Sequence, residues 1–146
     1  MIKLKAYINE AWSGVKKQAS IDIDAIEAWC DEMDIENYTI NPKGEIDVDG
    51  GVNLDNKDFE ELPYKFGKVI GSFDIGSNPN LTSLKNCPEF VGDYFSCSQC
   101  SNLDSLEGCP KEVEWSFYCY NCKRKFTTKE VKNLCNVKGK ISIWKN

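Results

Sequence analysis

The sequence predicts an α+β protein, a short β-solenoid of period 22 with a helix plus β-hairpin cap at its N-terminal end and a helix/strand cap at its C-terminal end. Three observations predict it. From Leu62 to Thr127 the chain repeats every 22 residues: Leu62, Leu84 and Leu106 open the copies, Val69, Val91 and Val113 follow, then Phe73, Phe95 and Phe117, and Cys87-Pro88 recurs as Cys109-Pro110. A unit that small cannot bury its own apolar face and must stack on its neighbours. The flanking segments break the period, as terminal units must if they are to close the exposed core of the stack.

Residues 1–11 form a short amphipathic segment that Ser13-Gly14 interrupts, and a polar linker runs to about residue 20. Ser20 is then expected to cap a helix over 21–34, with Asp22 and Asp24 favoured near the positive end of its dipole. Ile26, Trp29, Cys30 and Met33 share one face of that helix, which would pack over the open end of the solenoid. Tyr38 to Ile40 and Glu45 to Asp49 read as a hairpin around Asn41-Pro42-Lys43-Gly44, with Pro at the second turn position and Gly at the last. Val52 and Leu54 begin a degenerate copy whose spacing to Phe59 is one residue shorter than that from Ile75 to Leu81. After the last copy, Thr127 or Thr128 can cap a helix carrying Val131, Leu134 and Cys135, and Lys140 to Trp144 reads as a final strand. The chain therefore divides into a peptide and linker at 1–20 and one repeat domain at 21–146. The latter comprises an N-terminal cap (21–49), repeats (50–127) and a C-terminal cap (128–146).

Composition excludes several functions. The 146 residues carry a net charge of −5, with 14 acidic and 2 basic side chains between 21 and 62 but 9 basic and 4 acidic ones between 107 and 146. A net negative chain lacks the usual electrostatic drive toward phosphate backbones, so direct nucleic-acid binding is not expected. Lys123-Arg124-Lys125 is too short a run to change that. No stretch approaches the roughly 20 apolar residues of a membrane span, and no long apolar run of a secretory signal opens the chain. The expectation is a soluble, intracellular protein without a membrane partner. Eight cysteines in a reducing compartment call for packing or metal rather than disulfides. Histidine is absent, which removes Ser-His-Asp and Cys-His nucleophile pairs and mixed Cys/His zinc sites. Neither a catalytic residue nor a cofactor is expected.

Within the first clear copy, Ile70-Gly-Ser-Phe73-Asp-Ile75-Gly-Ser-Asn78 spaces its apolar residues and its Asn as leucine-rich repeats do, and the segment resembles that family. The resemblance implies that Phe73 and Ile75 point inward from a strand and that Asn78 turns the chain while bonding backbone groups of the adjacent coil. Leu81 and Leu84 would complete the core. In the next copies the inward pairs become Phe95 with Cys97 and Phe117 with Cys119, and the Asn position becomes Cys100 and Cys122, a replacement the family accepts. Gly92 and Glu114 stand where Ile70 stood, so Val91 and Val113 would serve one position earlier.

Cys97-x2-Cys100 and Cys119-x2-Cys122 also have the spacing of a four-thiolate zinc ribbon. Yet each cysteine has an ordinary counterpart in the first copy, Ile75 or Asn78, so the spacing equals the repeat period. Stacked coils would hold equivalent side chains about 4.7–4.9 Å apart, wider than the roughly 3.8 Å edge of a tetrahedral zinc thiolate site. Zinc at Cys97, Cys100, Cys119 and Cys122 is the alternative to cysteine as a small buried hydrophobe.

If Phe95 and Cys97 point inward, the two-residue period sends Tyr94, Ser96 and Ser98 outward, and likewise Ser72 and Asp74, then Ser116, Tyr118 and Tyr120. A Tyr/Ser surface joins rigid aromatic contact to adaptable hydrogen bonding, the chemistry of protein-binding paratopes; the plain alternative is a solvated sheet. A second candidate surface is acidic: Asp22, Asp24, Glu27, Asp31, Glu32, Asp34 and Glu36. Such a cluster could mimic a phosphate backbone or simply be a solvated helix face.

The first eleven residues, with Tyr7 and Ile8 preceding Asn9-Glu10-Ala11, are similar to the capsid-targeting peptides of internal head proteins in T-even-like bacteriophages. That resemblance implies cleavage by the phage prohead protease between Glu10 and Ala11, packaging in the head, and delivery into the bacterial host cytoplasm with the DNA. It implies a phage accessory protein whose solenoid binds and inhibits a host protein, a defence nuclease or toxin. The alternatives are a zinc-ribbon-like metal-binding protein or enzyme, and a structural internal head protein.

Overall fold

A computed structural model describes residues 21–143, and the chain there winds through four turns of a β-solenoid. The targeting-like peptide with Glu10 and Ala11, the linker and Trp144 lie outside the described residues. Each turn contributes one strand to each of two sheets. The first sheet runs β1 (Tyr38–Ile40), β2 (Ile46–Val48), β4 (Phe66–Val69), β6 (Phe90–Val91), β8 (Glu112–Val113), β10 (Asn136–Val137). The second runs β3 (Val52–Asn53), β5 (Phe73–Asp74), β7 (Phe95–Ser96), β9 (Phe117–Tyr118), β11 (Ile141–Ser142). All pairs are parallel except the β1–β2 hairpin.

Register follows the sequence repeat. Val52, Phe73, Phe95, Phe117 and Ile141 pair in succession, so the turns measure 21, 22, 22 and 24 residues. The short first turn is the degenerate copy, and the long last one admits α2 (Thr128–Leu134). Inward side chains of equivalent positions then stack along the axis. Phe73 and Phe95 lie parallel with ring centroids 6.0 Å apart, and Phe95 meets Phe117 at 5.0 Å, all three fully buried.

Both caps form from the predicted segments. α1 (Ile23–Glu32) buries Ile26 and Cys30 and sets Trp29 edge-on against Phe59, Tyr64 and Phe66 at 5.6–6.2 Å. The hairpin turn closes through the Gly44 N–H donating to the Asn41 carbonyl at 2.8 Å, with Gly44 at φ +84°. At the other end Thr127 caps α2 by accepting from the Glu130 N–H, and Val131 and Cys135 enter the core beside Phe126.

Four expectations are corrected. The cap of α1 is Asp22, not Ser20: its carboxylate accepts from the Ala25 N–H at 3.0 Å, as an Asp N-cap does. Ile70 is not a core residue but 47% exposed, because Val69 already fills the inward place that pairs with Val91. The corner carries Ile70 out, and a side chain at Gly92 would collide with the Ile70 carbonyl. Leu134 also lies exposed on α2. The first sheet gains a strand the sequence did not announce, β10, which pairs with β8.

Candidate interaction face

The outer face of the second sheet carries the predicted binding residues in register. Asp74, Ser96 and Tyr118 are successive outward positions on paired strands, and Ser72, Tyr94 and Ser116 form the row just before them. Tyr94 is 37% exposed, while Ser72, Asp74, Ser96, Ser116, Tyr118 and Tyr120 are half-buried. The Tyr94 and Tyr118 rings meet edge to face at 5.7 Å, so each fixes the other and the pair presents a rigid aromatic surface. Burial and the nearby Asp74, Asp93 and Asp55 carboxylates hold the Tyr94 hydroxyl above its ordinary pKa, keeping it a neutral donor. Ser72 and Ser96 serve partly as internal acceptors, for the Tyr94 and Ser98 N–H groups, both at 3.4 Å.

Ser98 is a correction: at 4% exposure it is covered and presents no surface to a partner. Its hydroxyl accepts from the Tyr120 N–H at 3.1 Å, and the following residue, Gln99, is left-handed at φ +61°. Strand alternation continues past it, since the Cys97 and Gln99 N–H groups donate to the Tyr118 and Tyr120 carbonyls at 2.9 and 2.8 Å; Ser98 is covered on its face of the sheet and not turned away from it. The sequence reading also missed Trp115, at 64% the most exposed large apolar residue described. It stands in the corner between β8 and β9, one residue before Ser116, where no alternation rule points.

A cleft of about 500 Å³ opens where the end of α1 approaches the start of this face. Asp34, Asp55, Asp74, Ser72, Met33 and Tyr94 are among its lining residues. Burial, then repulsion from Asp55, raise the Asp74 pKa, although its Oδ1 accepts from the Gly76 N–H at 2.8 Å.

The acidic helix is less free than the sequence suggested. Asp22 is committed to the cap, Glu27 is half-buried, and the Tyr38 hydroxyl approaches both the Glu27 carbonyl and Asp31. In the basic run, Arg124 pairs with Glu130 and Asp104 and lies over the Phe126 ring at 4.6 Å, fastening α2 to the last coil.

The zinc alternative meets a different arrangement. Cys97 and Cys119 are core residues, and Cys100 and Cys122 repeat the role of Asn78. The Asn78 amide donates to the Leu54 carbonyl at 3.0 Å; the Cys100 thiol donates to Ile75 at 3.4 Å and the Cys122 thiol to Cys97 at 3.3 Å. Burial pushes the Cys100 thiol up to about 11 and Cys119 to about 12. Among the described residues, no group of three or more Cys, Asp or Glu is placed to hold a metal ion.

Cys122 differs from the rest. A hydrogen bond from the Cys97 thiol, aided by the Cys100 and Gln99 N–H groups, draws its pKa below the ordinary value, and it alone among the cysteines is only half-buried. Brief alkylation of the native protein with iodoacetamide at about pH 8 is expected to modify Cys122 before the other cysteines. Peptide mapping by mass spectrometry reads the order; equal labelling of Cys87 or Cys119 would contradict it.

No described helix is long and apolar enough to cross a membrane. No protein-family model matches the chain, and neither a curated protein nor a solved structure matches it.

Proposed function

We propose that this chain is a stoichiometric protein-binding module whose contact surface is the Tyr94–Tyr118 region of the second sheet, extended by Trp115. The observation that carries the reading is a mutually braced aromatic pair, exposed Tyr94 and half-buried Tyr118, on a sheet face that also carries Ser72, Asp74, Ser96, Ser116 and Tyr120. Aromatic side chains anchor protein interfaces because they bury large areas with few rotatable bonds, and they dominate measured hot spots. In its finer form the proposal is that of a phage accessory protein which binds and inhibits a host defence nuclease or toxin. The tag-like Met1–Ala11 segment supports that form. A structural head component could carry the same tag but would capture no host protein.

The test is capture from bacterial lysate by the wild-type protein and by Tyr118→Ala/Trp115→Ala. Losing two hot-spot aromatics is expected to weaken a true complex by roughly 30-fold or more. Undiminished capture by the double variant would reject this face. For the finer form, mass spectrometry of virions should find a chain beginning at Ala11, and its absence there would reject packaging.

A further inference from the structure

The second sheet ends at β3, and that end is an open edge among the described residues. The N–H groups of Val52, Leu54 and Asn56 donate inward, to the Ser72, Asp74 and Gly76 carbonyls at 2.8, 2.7 and 3.1 Å. Backbone alternation then turns the N–H and C=O of Gly51 and Asn53 to the opposite side, away from β5. Natural sheets blunt such edges with Lys, Pro or a covering element. The segment Gly51-Val52-Asn53-Leu54 has neither residue, whereas β11 follows Lys140 and β1 leads into Pro42. Alongside the edge lies the cleft of about 500 Å³, where Asp34, Asp55 and Asp74 outnumber its single cation, Lys57, and Tyr94 offers an aromatic wall.

Edge and cleft together specify one occupant. We propose that β3 docks an extended segment of a partner protein as an added parallel or antiparallel strand, with a Lys or Arg side chain of that segment seated among Asp34, Asp55, Asp74 and Tyr94. Main-chain bonds to Gly51 and Asn53 supply affinity without regard to sequence, and the cleft selects the side chain by charge and by cation–π contact. This rests on the reading of the chain as a protein-binding module and adds the chemistry of what it binds.

The experiment uses the full chain, amide-resolved NMR, and two capped hexapeptides, one alternating Val and Arg, the other Val and Glu. The Arg peptide should shift the Gly51, Asn53, Asp55 and Asp74 amides, the Glu peptide should not, and added salt should weaken the response. Asp55→Asn/Asp74→Asn should lower Arg-peptide affinity by about tenfold or more. That variant keeps an oxygen for the Gly76 N–H and removes a charge that burial already disfavours, so its fold should persist. A second variant, Asn53→Pro, deletes an edge-facing N–H, which edge strands tolerate, together with the Asn53 Oδ1 that accepts from the Asp55 N–H at 3.1 Å; it should abolish peptide binding with little change in melting temperature, whereas Asn53→Ala, which loses only that oxygen, should still bind.

Equal response to the Glu peptide, shifts spread over α1, or no loss in the Asn double variant would each overturn the proposal. Edge shifts produced by raising the concentration of the protein alone would assign the edge to a second copy and also overturn it. Should the peptide arms fail while Tyr118→Ala still weakens capture of a partner, the edge proposal falls and the module reading stands. If the peptide binds but Tyr118→Ala and Trp115→Ala leave capture intact, the aromatic face is the part that falls.

Discussion

Phe95→Ala is expected to destabilise the protein by about 3–5 kcal/mol and to lower its melting temperature by roughly 10–25 °C. The ring is fully buried in the middle of the stack, with Phe73 parallel to it on one side and Phe117 tilted against it on the other. Truncation removes the transfer energy of the ring, leaves a void that two parallel strands hold open, and forfeits two aromatic contacts worth about 0.5–1.5 kcal/mol each. Position in the array adds to this. Each coil of a solenoid is held mainly by its neighbours, so damage to a central coil loosens the interfaces on both sides. Urea unfolding followed by circular dichroism should therefore broaden as well as shift. Phe59→Ala is the control, since Phe59 is only half-buried in the entry turn and its ring stands edge-on to that of the cap residue Trp29, with centroids 6.2 Å apart. It should cost about 1–2 kcal/mol. Equal losses from the two substitutions would show that the stacked column does not carry the stability assigned to it.

The same column explains what could be read from the sequence. Every coil places its side chains against the equivalents of its neighbours, so a substitution must suit the same environment, and Phe73, Phe95 and Phe117 recur at one spacing. That constraint also made the Cys100 and Cys122 positions legible as replacements for Asn78. Corners obey no such rule. Gly71, Asp93, Trp115 and Gly139 occupy one corner row, and nothing in that series marks Trp115 as a contact residue. Ile70 misled because an apolar residue directly after Val69 fits the repeat spacing almost as well, and only the close approach of Gly92 to the Ile70 backbone decides which one turns out. Ser98 misled because alternation gives the direction of a side chain and not its cover: its hydroxyl is taken up by the Tyr120 N–H of the next coil, just before the left-handed turn that Asn56, Ser77, Gln99 and Asn121 make in successive coils. Asn136-Val137 is too short to read as a strand. It becomes one only because Glu112-Val113 lies beside it. The edge at β3 was hidden for a related reason: which strand ends a sheet is a property of the winding, and no residue within the strand records it.

Asn78 should be the least replaceable polar residue in the core, and the chain itself supplies the substitution it tolerates best. The side chain is fully buried, donates to the carbonyls of Leu54, Ile75 and Gly76 at 2.9–3.1 Å, and accepts from the Lys57 N–H at 2.9 Å. Leucine has the same branched skeleton of side-chain heavy atoms but is bulkier, and it leaves those backbone groups buried without partners, at about 1–3 kcal/mol for each one that finds no substitute. Asn78→Leu is thus expected to cost at least about 3 kcal/mol. A thiol offers one donor and one weak acceptor. In the next coil Cys100 uses both, donating to the Ile75 carbonyl and accepting from the Asn78 N–H, and Cys122 does the same one coil further on, from the Cys100 N–H to the Cys97 carbonyl. Asn78→Cys should accordingly retain the bonds to the preceding coil, avoid the overpacking that the bulkier leucine imposes, and cost about 1–2 kcal/mol less than leucine. Urea midpoints of the two variants and of Asn78→Ala, which has neither the bulk of leucine nor the donor of cysteine, measured side by side under reducing conditions, decide between a ladder held by hydrogen bonds and one held by packing alone. If leucine proves equal to or better than cysteine at this position, the hydrogen-bonded ladder is not what turns the coil.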